Sequence, residues 1–353
     1  MPVAGIVRTV DDLAGNGGPL GVAPVTPERA SWRRDLADAF RDPADLGRFL
    51  GLPPAVTAEA ARSTAGFPFL VPRGFAARMR PGDPLDPLLL QVLPRAAETT
   101  AAAGYSADPL AEETFLAAPG LVHKYDGRAL VLVTGACAVN CRYCFRREFP
   151  YATSGATRRG IDQALAAVAA DASLTEVILS GGDPLLVDDD ELGGIVARLD
   201  ALPHVRRLRI HSRLPVVLPS RIDDGLAAAL ARSRLARVVV IHANHPAELD
   251  AAVAAAVQRL AGLPAVVLNQ AVLLRGVNDS AAVLAALSER LVEIGVVPYY
   301  LHLLDRVRGT SHFEVSEEEA RRLHRGLQET LPGYAVPRLV REIPGEPSKT
   351  WLQ

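Results

Sequence analysis

Cys137-Ala138-Val139-Asn140-Cys141-Arg142-Tyr143-Cys144 decides the reading of this chain, because it contains every cysteine in the 353 residues. Three thiols, with three residues inside the first pair and two inside the second, do not make an even disulfide framework. A structural zinc ion wants a fourth ligand, and no neighbouring Cys or His stands at metal-ligand spacing. Three thiolates on one tight loop suit an iron–sulfur cluster that leaves one iron without a protein ligand. Inert structural cysteines would be scattered through the chain rather than gathered in one place.

Outward from this loop the pattern is repetitive. Short apolar runs at Ala129–Thr134, Glu176–Leu179, Arg207–His211, Arg237–His242, Ala265–Gln270 and Val296–Leu301 alternate with Ala-rich amphipathic stretches at Ile161–Ala170, Asp190–Leu199, Asp224–Ala231, Glu248–Leu260 and Ala281–Ile294. Alternation of this kind predicts strand–helix units with parallel strands. Six runs predict an α/β fold, a partial (β/α)6 barrel of the TIM type, rather than a complete eight-stranded one. Before it, Trp32, Leu36, Phe40, Leu46, Phe49 and Leu50 recur at helical spacing and predict a helical N-terminal region. The division expected is a flexible tail over 1–26, a helical region over 27–120, the barrel over 121–310 and a C-terminal segment over 311–353.

Composition narrows the function. Apolar residues make up 49% of the chain and the net charge is −2, with arginines dispersed rather than striped, which argues against nucleic acid as partner and for small-molecule chemistry. No apolar run reaches about 18 residues and no basic region precedes one at the N-terminus, so neither a membrane span nor a signal peptide is expected. Unpaired thiols suit a reducing compartment, and the expected location is cytoplasmic. Of the 38 basic residues only Lys124 and Lys349 are lysine. Where arginine serves wherever a positive charge suffices, a surviving lysine raises the question of a primary amine.

In a barrel of this kind chemistry gathers at the carboxyl ends of the strands. The cysteine loop follows the first run, Ser180-Gly181-Gly182-Asp183 the second, His211-Ser212-Arg213 the third, His242 to His245 the fourth, Asn269-Gln270 the fifth and His302 to Asp305 the sixth. The cysteine spacing, with an aromatic residue before the last Cys, closely resembles that of the radical S-adenosylmethionine (SAM) enzymes. The stretches HKYDGRALVLVTGACAVNCRYCFRR (123–147), LSGGDPL (179–185), RIHSRLPVVLP (209–219), HANHPAE (242–248), LNQAVLLRGVND (268–279), PYYLHLLD (298–305) and REIPGEPSKT (341–350) resemble the lysine 2,3-aminomutases within that superfamily. The likeness begins weakly at about Trp32 and runs with its motifs from about Pro119 to Trp351, and its last motif is most similar to the branch that makes β-lysine for elongation factor P.

The resemblance implies an isomerase that moves the amino group of L-lysine from C2 to C3, using a [4Fe–4S] cluster, SAM and pyridoxal 5′-phosphate (PLP). It implies Cys137, Cys141 and Cys144 as iron ligands, and Ser180, Gly181, Gly182 and Asp183 as the turn that receives SAM. It implies Lys349 as the lysine that bonds PLP, a role arginine cannot fill. Tyr125, Arg128 and Gln270 fall at positions around the PLP phosphate. Arg146 falls at the position for the substrate carboxylate, and Asp305 and Glu342 at those for its ε-ammonium. Lys124 stands where free lysine aminomutases carry arginine, with charge near PLP and a structural ion pair both open to it. Glu346-Pro347-Ser348 replaces the glycines those enzymes carry before the PLP lysine, and their cysteine-bearing extension has no counterpart here. Implied partners are an electron donor and, functionally, a β-lysyl ligase and elongation factor P. Two other readings are a free lysine aminomutase serving degradation or secondary metabolism, and a cluster- and SAM-binding regulator that turns nothing over.

Overall fold

The computed structural model describes residues 31–352 apart from positions 65 and 264, so the expected tail over 1–26 lies outside the described residues. Helices at Ser31–Ala37, Pro43–Leu50 and Pro54–Arg62 open it. The second shows why it starts and stops where it does: Asp42 accepts from the Ala44 amide at 2.8 Å, and Gly51 closes the end at φ 64°. Its Leu46 and Leu50 are buried, whereas Phe49 is 49% exposed and only leans on Phe40, with ring centroids 5.2 Å apart.

One ten-stranded sheet follows, with its strands side by side in chain order. They are β1 (Leu116–Ala118), β2 (Leu121–Tyr125), β3 (Arg128–Thr134), β4 (Glu176–Gly181), β5 (Arg207–Ser212), β6 (Ala236–Ile241), β7 (Ala265–Val272), β8 (Val297–His302), β9 (Arg338–Arg341) and β10 (Thr350–Trp351). Strands β3 to β9 pair in parallel, while β1–β2, β2–β3 and β9–β10 pair antiparallel. Runs such as Val131-Leu132-Val133 and Val239-Val240-Ile241 are buried throughout, which is why they carry no polar alternation. The six predicted strands are β3 to β8, and helices at Arg158–Ala170, Asp189–Asp200, Asp224–Ala231, Ala251–Ala261, Ala281–Glu293 and Glu317–Thr330 connect them onward to β9. Six strand–helix units are therefore present, extended at both edges by short strands the sequence reading did not find. β2 turns into β3 through Asp126-Gly127, where Gly127 holds φ 70°.

The sheet is curled. Lys124 lies on β2 and Glu342 directly follows β9, yet the Lys124 ammonium donates to the Glu342 carboxylate at 2.6 Å. Only a sheet rolled into a barrel brings its second strand to its ninth. The roll encloses a cavity of about 570 Å³, reaching from the cysteine loop to Lys124, Glu342 and Lys349.

Candidate active site

The cysteine loop leaves β3 at its carboxyl end and is tied down by the N-terminal region. The Asn140 amide donates to Leu70 O at 3.0 Å and the Arg142 amide to Gln91 O at 2.8 Å. The Arg142 side chain is buried and donates from Nε to Glu98 Oε1 at 2.8 Å and from Nη2 to Glu98 Oε2 at 2.5 Å, and Arg147 Nη2 joins the same oxygen at 2.9 Å. All three thiols are half-buried and line the cavity. Burial, with the neighbouring Cys144 and Asp183, pushes the Cys137 thiol well above its ordinary range, and burial with Cys141 takes Cys144 up to about 11. A thiolate there needs a cation to stabilise it. Among the described residues no three His, Cys, Asp or Glu side chains are grouped to hold one metal ion. In an iron–sulfur cluster each thiolate takes its own iron, so this loop fits a cluster better than a single ion.

The turn after β4 is packed against that loop. The Gly182 amide donates to Thr134 O at 2.6 Å and the Asp183 amide to Ala136 O at 2.8 Å. A Cβ at Gly182 would lie 2.1 Å from Ala136 O, so only glycine lets the two turns meet. The Asp183 carboxylate faces the protein. It accepts from Ser212 Oγ at 2.8 Å and from the amides of Arg213, Leu214 and Leu185 at 2.8, 3.2 and 3.1 Å, so its oxygens bind β5 to β4 rather than a ligand. Burial outweighs those bonds and takes its pKa up to about 6. What this turn offers the cavity is backbone.

Arg146 and Ser180 meet beside it. Arg146 donates from Nε and Nη2 to both oxygens of Glu112 at 2.6 and 2.7 Å, and from Nη1 to Ser180 Oγ and Gly181 O, each at 3.2 Å. Burial alone would lower the pKa of this guanidinium, but Glu112 beside it reverses that and raises it. Across the loop Arg213 donates to Cys141 Sγ at 2.6 Å, Gln91 Oε1 at 2.7 Å and Glu248 Oε2 at 3.0 Å, in a buried network. Glu248 closes the HANHPAE stretch (242–248), whereas Glu98, Glu112 and Gln91 belong to none of the motifs. Their one sequence signal is indirect: Arg142, Arg146 and Arg147 cannot enter a protein interior without acids to meet them.

The opposite wall holds the two lysines and the two acids. Glu342 accepts from Lys124 at Oε1 and from Lys349 at Oε2, so both lysines of the chain bind one carboxylate. Burial alone would raise the Glu342 pKa, but Lys349 and Lys124 outweigh it and hold the group well below the usual carboxylate range. Asp305 lines the same cavity, with no hydrogen bond or salt bridge of its carboxylate among the described residues, and burial together with Glu342 takes its pKa up to about 7. Between these ends Tyr125 Oη, Gln270 Oε1 and His211 Nε2 are buried with no hydrogen bond within normal distance among the described residues, and burial with the Glu342 carboxylate nearby raises the Tyr125 pKa. Arg128 lines the cavity too, its guanidinium over the Tyr125 ring at 4.6 Å and without an anionic partner among the described residues. Burial lowers the pKa of His211 and His302 far below the usual value and takes His242 to about 4, so all three imidazoles are neutral. Unmet donors and acceptors beside an uncompensated guanidinium are what a phosphorylated ligand would satisfy.

A model of the radical SAM superfamily matches residues 131–284. The chain is 51% identical over 328 residues to the L-lysine 2,3-aminomutase of Escherichia coli, covering 93% of this chain and 96% of that one. The chain belongs to the lysine 2,3-aminomutase family. The family members of Haemophilus influenzae, at 46% identity over 93% of this chain and 97% of theirs, and of Clostridium subterminale, at 35% over 90% and 77%, are also similar. The chain is thus a radical SAM enzyme of the isomerase class, and membership implies a [4Fe–4S] cluster, SAM and PLP. The likeness to its relatives reaches further than the motif-bearing two-thirds, into the helical N-terminal region. That region supplies Glu98 and Glu112, the counterions of the cysteine loop.

Proposed function

We propose that this enzyme converts L-lysine to β-lysine by moving the α-amino group to C3, with SAM and a cluster at one end of the cavity and PLP at the other. The arrangement that supports this most directly is a single cavity lined by all three cysteines and by both lysines. When bound, the cluster with SAM supplies a carbon radical that takes and returns a hydrogen, and PLP supplies the carbon that carries the migrating nitrogen.

In this reading Cys137, Cys141 and Cys144 hold iron, and the backbone of Ser180 to Asp183 receives SAM. Lys349 bonds PLP through its amine, and Arg128, Tyr125 and Gln270 take the phosphate and its surroundings. Arg146 offers the substrate carboxylate the N–H of Nη2 that Glu112 leaves unused. Asp305 and Glu342 receive the distal ammonium, a preference for a cationic side chain that an anionic one such as glutamate does not satisfy. The barrel keeps water from the reacting carbon and holds it near the radical. Residues 121–310 act as the barrel proper and 311–353 as the segment that brings the PLP lysine. The β-lysine serves elongation factor P through a ligase, in the cytoplasm, with electrons from a separate donor; the closeness of the REIPGEPSKT stretch to that branch supports this destination.

The test is an anaerobic turnover with reductant, SAM, PLP and L-lysine, products resolved by mass spectrometry, beside Lys349→Ala. β-Lysine from the wild type and none from the variant is the expected result. SAM cleavage with lysine returned unchanged would remove the substrate assignment, and no SAM cleavage at all would remove the catalytic reading.

A further inference from the structure

The two lysines that share Glu342 are held differently. Lys124 rises from β2, its side chain 6% exposed, walled by the rings of Phe115 and Tyr125 at 5.5 and 5.9 Å, and it donates to Leu110 O at 3.2 Å as well as to Glu342. Lys349 stands on the loop after Gly345, its side chain 20% exposed, with Glu342 as its partner. Were Lys349 to turn from Glu342 to hold PLP, Oε2 would lose that partner and stand open to another ammonium. Oε1 stays with Lys124.

We propose that Lys124 is a positioning residue for the substrate's far end: it fixes Glu342 and cancels one of two negative charges there, so that Asp305 and Glu342 present one net charge to one side-chain ammonium. The inference rests on the reading of the preceding section and deepens it. Without Lys124, Glu342 loses a cation that helps hold it ionised beside Asp305, and the seat for the ammonium loses charge. With it, the ammonium of Lys349 in the ligand-free protein already stands where the substrate's ammonium would. The phosphate has a different cation available, because Arg128 reaches the cavity without an anionic partner among the described residues, whereas two of the three N–H donors of Lys124 are taken.

The experiment is calorimetric titration of the anaerobic, PLP-loaded holoenzyme, without SAM or reductant, with L-lysine and with L-norleucine, which lacks the distal nitrogen. The ratio of the two affinities isolates the far end of the site, since general damage weakens both ligands alike. Lys124→Met is expected to lower that ratio by about tenfold, and Lys124→Arg to restore most of it, while PLP content stays at the wild-type level. In a Glu342→Gln background Lys124→Met is expected to add nothing, as it should if it acts through that carboxylate. A ratio within about threefold of wild type overturns the proposal, and so does a larger fall that persists in the Glu342→Gln background. Loss of PLP with an unchanged ratio assigns Lys124 to the phosphate instead. Failure of the wild type to take up PLP or lysine would strike the underlying reading, and is seen before any variant is compared.

Discussion

Replacing Glu98 by alanine removes the shared counterion of Arg142 and Arg147. Its side chain is 3% exposed and theirs 1% and 8%, so neither guanidinium is solvated once Glu98 is gone. Four hydrogen bonds to the carboxylate are lost, three from the guanidinium groups at 2.8, 2.5 and 2.9 Å and one from the Arg95 amide at 3.1 Å. Each is worth about 1.5–3 kcal/mol on its own. Part of that is offset because the desolvation of Glu98 itself is avoided, and the net cost expected for stripping one partner from a buried pair is about 3–5 kcal/mol. Arg142 keeps its bond to Pro68 O at 3.1 Å, which places the estimate at the lower end. The assay is urea denaturation of the cluster-free protein, with the iron retained after anaerobic reconstitution as second readout. Glu98→Ala should shift the midpoint downward by that free energy and lower bound iron, since Arg142 and Arg147 flank the last two cysteines. Glu98→Gln, which keeps an acceptor of similar shape, should cost about half as much. A loss below about 1 kcal/mol in Glu98→Ala would refute the argument, because it would mean that both guanidinium groups find other partners or water.

Gly182→Ala forces a Cβ to 2.1 Å from Ala136 O, a contact that backbone must yield to, so the variant should retain far less cluster than wild type under identical reconstitution. Asp305→Asn bears on pH. With its pKa at about 7 rather than 3.8, Asp305 holds a proton in the folded apoprotein that the unfolded chain has released. Its contribution to stability is therefore full below pH 3.8 and is lost as pH rises to about 7. Denaturation midpoints of the apoprotein across that window should fall more steeply with pH in wild type than in Asp305→Asn, and parallel curves would contradict the assignment.

Where chemistry repeats in sequence the chain was readable. The cysteine loop, the turn after β4 and the six central strands announce themselves because parallel strands buried on both faces need unbroken apolar runs. Lys349 stood out through the scarcity of lysine, and it does enter the cavity. The edges were hidden for a physical reason. β10 has two residues and β9 four, too few for a period to register. Side-chain direction was the other blind spot. Asp183 turns to Ser212 and the start of the next turn, Arg146 is gripped by Glu112, and Glu342 is held by two lysines, none of which a spacing reveals. These are consequences of charge having to be balanced inside a barrel, and apart from Lys349, seven residues from Glu342, the balancing partners lie far away in sequence.

The junction of β2 with the end of β9 gives the barrel a seam, closed by side chains rather than by a ladder of backbone bonds. Lys124 and Glu342 are 218 residues apart, so the seam joins segments that only the finished fold brings together. Lys124 stands on one lip with Arg128 one strand behind it, and Lys349 and Glu342 on the other. Any molecule that touches both lips acts as a clasp, and its binding free energy becomes resistance of the barrel to unrolling. Among the described residues the Glu342 carboxylate ties β2 to the end of β9, and a molecule bound across both lips would add to that tie.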